Sequence, residues 1–352
     1  MTSEEMIRLD GVTKVFPGTE IPAVDSLSFE VGRGELVTLV GPSGCGKTTT
    51  LKMINRIIEP TAGTIWVDGV EAGSVEPYEL RRRIGYVIQQ IGLFPHRTVA
   101  ENIGTVPELV GWDRARIDDR VDELIDVVGL ERDMLTRFPS ELSGGQQQRV
   151  GVARALAADP PVLLMDEPFG AVDPIVRTHL QAELLELQAS VKKTIVFVTH
   201  DIDEAITLGD RMCILNVGGI REQYGPPEEI LRSPANAFVE SFLGGERGLK
   251  RLGLVRMAEI DLRPGPMVQR SADGEDAARV AAEHDSDWVG VLDGEHLLGW
   301  VDAAGLVAGS ILGDLPIRDF LCVLTPRTTL RQALDAVVTS HARMAVVADD
   351  GR

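Results

Sequence analysis

The sequence lacks any long apolar segment and contains few cysteines. None of its apolar runs reaches the roughly 18 residues that a membrane-spanning helix needs, so we expect no such helix. The first five residues, MTSEE, are acidic and lack an apolar stretch, which predicts that they are not a secretory signal. Cys45, Cys213 and Cys322 are too few and too scattered for a disulfide framework. Together these absences indicate a protein of the cytoplasm.

Positive charge is also scarce. The 352 residues include 35 Lys and Arg against 54 Asp and Glu, which gives a formal net charge of −19. Residues 1–248 and residues 249–352 are each net acidic, so neither part is expected to bind nucleic acid or to dock broadly on anionic lipid. The length allows one to three domains, and the 44% hydrophobic content is typical of a soluble protein with ample core.

A phosphate-binding loop organises the chain. The stretch GPSGCGKTT, from Gly41 to Thr49, matches the pattern G-x-x-x-x-G-K-[ST] between a predicted strand over 35–40 and a predicted helix over 48–58. Its glycines let backbone N–H groups turn toward a polyphosphate, while Lys47 can reach the β- and γ-phosphates and the Thr48 hydroxyl can bind Mg²⁺. An ordinary glycine-rich turn would not explain the lysine, the threonine and both flanks together. The residues expected to contact the nucleotide here are Gly41, Pro42, Ser43, Gly44, Cys45, Gly46, Lys47, Thr48 and Thr49.

Two acids follow the short apolar run over 161–165, which has the character of a buried parallel strand. In a phosphate-loop NTPase, an acid at the position of Asp166 is a second Mg²⁺ ligand. Glu167, next along, is placed to deprotonate the water that attacks the γ-phosphorus. Two acids after a strand would alone indicate only a turn, but the phosphate loop favours the catalytic interpretation.

Gln89 and His200 also follow predicted strands, over 81–88 and 194–199. The Gln89 amide can bridge Mg²⁺ and water, and His200 can hydrogen-bond the γ-phosphate. Each would more often be an ordinary surface or structural residue. Phe16, at the end of a first strand, can stack on a nucleobase, although such a residue usually belongs to the core.

Strands alternate with helices along most of the chain. The region from about 99 to 159 turns helical, residues 211–222 are typical of a hairpin, and a helix over 235–243 precedes a plausible linker at 244–245. This order predicts an α/β sheet whose ligand crevice lies at the strand ends.

A second anion site is predicted at Ser143, Gly144 and Gly145, which open a helix. Because the phosphate loop already supplies one such site, the second is expected to serve another subunit's nucleotide. The stretch LSGGQQQR, over 142–149, resembles the signature of ABC ATPases, and the order of motifs over residues 1 to about 245 matches that family throughout.

The resemblance implies a role for each motif. Phe16 would stack on adenine, Gly41 to Thr48 would form the phosphate loop, and Gln89 would bind Mg²⁺ and sense the permease. It implies that the signature residues Ser143, Gly144, Gly145 and Gln146 cap ATP in the opposite subunit. It further makes Asp166 a metal ligand, Glu167 the catalytic base, Asp173 a dimer contact and His200 the γ-phosphate switch.

The same resemblance implies a mechanism and partners. Two copies of the chain would sandwich two ATP molecules head to tail, with Mg²⁺, and their closure would drive transmembrane permease subunits. Residues 90–112 would receive the coupling helix of the permease. The expected location is the cytoplasmic face of the membrane, as a peripheral subunit that a substrate-binding protein serves indirectly and that binds no nucleic acid.

The stretches QQIGLFPHRTVAENI, over 89–103, and VPELVGW, over 106–112, resemble the ATPases of osmoprotectant importers for glycine betaine, choline or carnitine. Such subunits often carry paired CBS repeats after the ATPase. The expected division is an ABC-type α/β phosphate-loop NTPase domain over 1–245, with a helical subdomain at about 92–160, followed by a smaller α+β CBS-like region. A linker and first repeat would occupy 246–318, and an incomplete second repeat 319–352.

The CBS-like region departs from the nucleotide-binding pattern Gly-x-x-Thr/Ser-x-x-Asp. Gly299 is followed by Asp302 and Gly305, so no carboxylate stands where ribose would be held. A passive spacer or dimerisation module is therefore as well supported as a regulator that responds to ionic strength or a cyclic dinucleotide. Loss of the response on deleting residues 249–352 would distinguish the two.

Three other functions compete with osmoprotectant import. An importer subunit for another solute, such as amino acids or phosphonates, would share the ATPase motifs. A soluble ABC ATPase acting on DNA or ribosomes usually has long coiled coils, zinc sites or two ATPase halves, none of which this acidic sequence contains. Nucleotide sensing without turnover would need a missing catalytic group, but Glu167 and His200 are both present.

Overall fold

The computed structural model describes residues 5–89, 92–170, 172–262, 264–320, 322–339 and 345–348. The chain forms two compact units, one up to Gly245 and one from Glu246 onward. In these ranges, no helix is both long and apolar enough to cross a membrane.

The first unit contains ten strands and nine α-helices in the described ranges. Its strands are β1 (Glu5–Lys14), β2 (Val24–Gly32), β3 (Leu36–Val40), β4 (Ala62–Val67), β5 (Val70–Glu71), β6 (Ile84–Val87), β7 (Val162–Asp166), β8 (Thr194–Thr199), β9 (Arg211–Asn216) and β10 (Ile220–Gly225). Its helices are α1 (Lys47–Ile54), α2 (Pro77–Arg81), α3 (Val99–Leu109), α4 (Arg114–Val127), α5 (Gly144–Leu156), α6 (Pro174–Val191), α7 (Ile202–Leu208), α8 (Pro227–Arg232) and α9 (Ala237–Leu243).

A six-stranded sheet forms the centre of this unit, in the order β10-β9-β3-β8-β7-β6. The five strands from β9 to β6 are parallel, and β10 pairs antiparallel with β9 at one edge. Every residue of β3, β7 and β8 is buried, as expected for strands covered on both faces. The α/β fold predicted from the sequence is confirmed, and the carboxyl ends of β3, β6, β7 and β8 meet at one edge of the sheet.

A second, antiparallel sheet has the order β2-β1-β4-β5. Its buried side chains, including Ile7, Leu9 and Phe29, join one core cluster with Leu51 and Ile54 of α1 and with Val196 of β8. The phosphate-loop helix is therefore packed into the same core as both sheets.

The predicted helix over 48–58 is shorter in the structure, since α1 ends at Ile54. Arg56 adopts the left-handed backbone conformation, with φ of +50°, and its guanidinium donates to the Ala72 carbonyl at 3.0 Å. The Ile57 amide then reaches back to the Lys52 carbonyl at 2.8 Å, which closes the helix. Tertiary hydrogen bonding of Arg56 thus overrides a helical pattern that contained no glycine or proline.

Helices α3, α4 and α5 lie within the predicted helical region. Thr98 and Glu101 form a capping box at the start of α3. The apolar side chains Ile117, Val121 and Leu124 of α4 are buried, and they pack with Val150 of α5 and Phe197 of β8 in a second core cluster. The helical region is thereby anchored to the face of the sheet opposite the first cluster.

The second unit is built from small α+β pieces. Its strands are β11 (Met267–Gln269), β12 (Trp288–Asp293), β13 (His296–Asp302), β14 (Val323–Leu324) and β15 (Val346–Val347), and its helices are α10 (Arg247–Leu252), α11 (Gly274–Glu283) and α12 (Leu330–Thr339). Strands β12 and β13 form an antiparallel hairpin, and β11 pairs with β12 in parallel. Strand β14 pairs in parallel with β15. The incomplete second repeat predicted over 319–352 lies partly outside the described residues.

Gly299 is required at its position in β13. Its φ is +150°, and a Cβ atom there would lie 2.3 Å from the Arg318 carbonyl oxygen. Asp302 ends the strand and accepts a hydrogen bond from the Ala304 amide at 3.0 Å. Assignment of this unit to CBS repeats, and of these residues to a nucleotide pocket, stays a prediction.

Candidate nucleotide-binding and hydrolysis site

The phosphate loop connects β3 to α1 at the carboxyl edge of the sheet. Gly44 and Gly46 have φ of +79° and +93°, a conformation that L side chains rarely adopt. A Cβ atom on Gly46 would lie 2.5 Å from the Ala23 carbonyl oxygen, and one on Gly41 would lie 2.2 Å from the Leu215 carbonyl oxygen. The loop is therefore held against two neighbouring segments at positions where only glycine fits.

Lys47 is folded back over its own loop. Its ammonium donates to the carbonyl oxygens of Gly41 at 2.7 Å and Pro42 at 3.1 Å, and the residue is only 6% exposed. These two bonds hold the charge above the loop, where phosphate oxygens can replace the carbonyls as acceptors.

Cys45 lies in the same loop and is fully buried. Its thiol is 3.6 Å from the Lys47 ammonium. Burial raises the pKa of the Cys45 thiol, and the nearby lysine only partly opposes this effect. This buried position indicates that Cys45 acts as a small residue that fills space inside the loop.

Thr48 and Asp166 meet across the gap between α1 and β7. The Thr48 hydroxyl donates to Asp166 Oδ1 at 2.9 Å. Burial raises the pKa of the Asp166 carboxyl, although the bond from Thr48 opposes it. Hydroxyl and carboxylate oxygens are the ligands that Mg²⁺ prefers when phosphates complete its coordination. The hydroxyl of Thr48 and the carboxylate of Asp166 therefore fit Mg²⁺ that is bound together with a nucleotide.

Glu167 is the centre of a second group of side chains. Its Oε2 atom accepts a hydrogen bond from Gln89 Nε2 at 3.0 Å and lies 3.2 Å from His200 Nδ1. An ionised carboxylate can only accept, so this contact is a hydrogen bond when His200 Nδ1 carries a proton. Glu167 itself has φ of +45°, and its amide donates to the Val198 carbonyl at 3.0 Å. Residues from the ends of β6, β7 and β8 thus converge on one carboxylate.

The signature and Asp173 each begin a helix. Ser143 caps α5 in a reciprocal box with Gln146, in which each side chain bonds the other residue's amide. Asp173 caps α6 by accepting from the amides of Ile175 and Val176, both at 3.1 Å. No side chain atom lies within 4 Å of a Cβ built on Gly144. These hydrogen bonds of Ser143, Gln146 and Asp173 stay within the first turns of α5 and α6. The predicted contacts of the signature and of Asp173 with a second subunit stay predictions.

Phe16 follows β1 and is 37% exposed, so its ring is accessible. The Lys14 ammonium lies 5.3 Å from the ring centroid. This exposure agrees with the predicted stacking position for adenine.

Sequence reasoning missed two residues of this site. The Tyr86 hydroxyl lies 3.5 Å from Asp166 Oδ2, and burial together with that carboxylate raises the pKa of Tyr86. Arg177, one turn into α6, lies 3.5 Å from Asp201, the residue after His200. Neither residue belongs to a motif. The sequence signal for Tyr86 was its position in a predicted strand, three residues before Gln89, which placed it near the same edge of the sheet as Gln89.

Comparisons with known proteins agree with this geometry. Residues 24–170 match the family described as ABC transporter. The chain is 47% identical to the osmoprotectant import ATP-binding protein OsmV of Salmonella typhimurium, over 99% of this chain and 92% of that protein. It is 45% identical to the glycine betaine/carnitine/choline transport ATP-binding protein OpuCA of Bacillus subtilis, over 98% of this chain and 92% of that protein.

Among solved structures, the chain resembles the ATP-binding cassette MJ0796 in a dimeric, post-hydrolysis state bound to ADP and Pi. The TM-score is 0.57 at 34% sequence identity, and the match covers 63% of this chain and 99% of that one. The order of motifs, the edge of the sheet where they meet and these matches lead to one assignment. This chain belongs to the family of ABC transporter ATP-binding proteins, in the group that contains the osmoprotectant and glycine betaine/carnitine/choline import subunits.

Proposed function

We propose that this chain is the ATP-hydrolysing subunit of an importer for quaternary-amine osmoprotectants, such as glycine betaine, choline or carnitine. The substrate class is supported by the names of the relatives that match nearly the whole chain. The observation that carries the hydrolytic function is the placement of Glu167 between Gln89 and His200 at the edge of the sheet that holds the phosphate loop.

Glu167 acts as the general base in this proposal. Both hydrogen bonds from Gln89 and His200 go to Oε2, so they fix the carboxylate while Oε1 takes the proton of the attacking water. His200 can then turn its ring toward the γ-phosphate, because its side chain is exposed at 56% of its surface.

Lys47 binds the β- and γ-phosphates by exchanging its two carbonyl acceptors for phosphate oxygens. Mg²⁺, held by Thr48, Asp166 and Gln89, would neutralise charge on those phosphates. The burial of Asp166 supports this assignment, because a buried carboxylate gains most from a nearby cation.

The chain works as a homodimer in this proposal. Ser143, Gly144, Gly145 and Gln146 cap the ATP of the opposite subunit through the amides at the start of α5, and Asp173 contacts the opposite subunit. The dimeric state of the similar ATP-binding cassette supports this arrangement. Closure of the two subunits then drives permease subunits at the cytoplasmic face of the membrane, where residues 90–112 are the proposed docking region. Residues 90 and 91 of that region lie outside the described residues.

The test is the ATPase rate of the full-length chain assembled on its permease in liposomes, with the substrate-binding protein added. Glycine betaine, choline, carnitine and several amino acids are titrated at low and high salt. Stimulation by a quaternary amine is the expected result. Stimulation only by an amino acid or another solute would keep the ATPase mechanism and overturn the substrate class.

The second unit is proposed to regulate transport in response to ionic strength. It has cores of its own, one around Val289 and Val291 and one around Leu324 and Ala333. Deleting residues 249–352 is expected to remove the salt dependence of transport while the ATPase site remains. Unchanged salt dependence in that variant would refute the ionic-strength role and leave a passive spacer or a cyclic-dinucleotide regulator.

A further inference from the structure

The geometry points to Arg177 as a positioning residue that ties the segment before α6, which ends in Asp173, to the segment that carries His200. This inference rests on the proposed function, because it concerns how the hydrolytic site is held. Arg177 lies one turn after Asp173 on α6, and its amide donates to the Asp173 carbonyl at 2.8 Å. Its side chain touches neither the phosphate loop nor Glu167 in any described hydrogen bond.

The guanidinium makes contacts with both segments at once. Arg177 Nη2 donates to the Val172 carbonyl at 3.1 Å, next to Asp173. Arg177 Nη1 lies 3.5 Å from Asp201 Oδ2, next to His200. A planar guanidinium directs N–H groups from two different nitrogen atoms to two separate acceptors, whereas a lysine ammonium would have to reach both acceptors from a single nitrogen.

The two carboxylate oxygens of Asp201 make different contacts. Its Oδ1 atom caps α7 by accepting from the amides of Asp203 at 2.9 Å and Glu204 at 3.2 Å. Oδ2 is left for Arg177. The Asp201 amide donates to Thr199 Oγ1 at 3.0 Å, so the residues on both sides of His200 are fixed.

A second contact between α6 and α7 lies one turn further along α6. Gln181 and Arg177 are four residues apart and lie on the same face of the helix. Gln181 Nε2 donates to Glu204 Oε1 at 3.0 Å, and Glu204 is only 6% exposed. Helix α6 therefore contacts Asp201 and Glu204 at the start of α7, through Arg177 and Gln181.

The consequence concerns how the two halves of the dimer communicate. One narrow crevice is lined by Arg177, Glu167, Thr199 and His200. A shift of Arg177 therefore changes the packing next to Glu167 and His200. When contact with the opposite subunit moves Asp173, Arg177 transmits that movement to Asp201 and thus to the bond between His200 and Glu167. Hydrolysis is then favoured only when the dimer is closed.

The test uses Arg177→Lys and Asp201→Asn in the full-length chain assembled on its permease. The Asn variant keeps the cap of α7, because asparagine is as good an N-cap as aspartate. With its amide oxygen in the cap, the amide nitrogen faces Arg177 and offers it no acceptor. Arg114→Lys is the matched control, since Arg114 pairs with Asp118 at 3.0 Å on an exposed helix face. We expect both test variants to lower kcat by about 10- to 100-fold, as a misplaced catalytic group does, with little change in KM for ATP.

A spectroscopic readout separates positioning from folding. The chain has six histidines, so the imidazole NMR signals of the isotope-labelled full-length chain are few enough to assign His200 with a His200→Ala variant. The His200 signal is expected to shift in Arg177→Lys and in Asp201→Asn, and the double variant is expected to lose no more activity than either single one.

Three results would overturn the inference: wild-type kcat in both variants, an unchanged His200 signal, or equal losses of ATP binding and thermal stability that indicate a purely structural role. These are distinct from failure of the proposed function. That failure would show as absence of ATP hydrolysis by the wild-type chain, or as normal turnover without Glu167.

Discussion

Replacing Glu167 by glutamine tests the hydrolytic mechanism most directly. The substitution keeps the size of the side chain, and the amide oxygen of the glutamine can still accept from Gln89 and His200, which lie 3.0 Å and 3.2 Å from Oε2. The amide nitrogen then occupies the position of Oε1, where it cannot take a proton from water. We therefore expect the site to keep its shape and lose its base.

The expected size of the effect follows from that loss. A positioned general base contributes about 10²- to 10⁴-fold to rate. At about 1.4 kcal/mol per factor of ten, this is about 3–5 kcal/mol of the barrier. Binding of ATP should change little, because Lys47 and Thr48 are untouched, so the variant should accumulate as an ATP-bound dimer.

The assay is phosphate release at saturating ATP, with size-exclusion chromatography to detect the dimer. Glu59→Gln is the control, because Glu59 is an exposed carboxylate that pairs with Arg56 at 2.7 Å, away from the nucleotide. Turnover within a few-fold of the wild type in Glu167→Gln would refute the reasoning and place the base elsewhere.

Three more substitutions or modifications probe the loop and the signature. Gly46→Ala should abolish ATP binding and lower the melting temperature, because it adds about 1–3 kcal/mol of backbone strain and places Cβ 2.5 Å from the Ala23 carbonyl oxygen. Gly44→Ala, with similar φ and nothing within 4 Å of its Cβ, is the matched control and should have a smaller effect by calorimetry. Ser143→Ala should cost about 0.5–2 kcal/mol of cap stability and cripple hydrolysis while nucleotide binding by the isolated chain is kept; loss of that binding would contradict the cross-subunit role. Alkylation of Cys45 by iodoacetamide should be slow at pH 7 and faster as the pH rises, because burial raises its thiol pKa and little thiolate is present; rapid modification at pH 7 would contradict its burial.

Local patterns predicted most of the candidate nucleotide site. The phosphate loop, the signature and the acids after β7 are each contiguous in sequence, and each acts through backbone geometry that a few neighbouring residues dictate. The alternation of apolar strands with helices predicted the α/β class for the same reason. Where a long-range contact intervened, the prediction was wrong: Arg56 turns toward Ala72 and ends α1 four residues early.

Contacts between distant residues could not be predicted from spacing. Residues 211–222 indicated a hairpin, but nothing in them showed that β9 would extend the central sheet beside β3. Likewise Tyr86 and Asp166 are separated by 80 residues, and no motif joins them.

The sequence by itself predicted which residues are proposed to bind phosphate and metal, because glycine, lysine, threonine and acid at fixed spacing allow few other local structures. It also determined the family, since the motifs occur in one order. Only the tertiary structure decided that Gln89, Glu167 and His200 meet at one carboxylate oxygen, because parallel strands place their carboxyl ends at the same edge of the sheet. The tie from Arg177 to Asp201 was decided in the same way, by the packing of α6 beside the start of α7, which no linear pattern specifies.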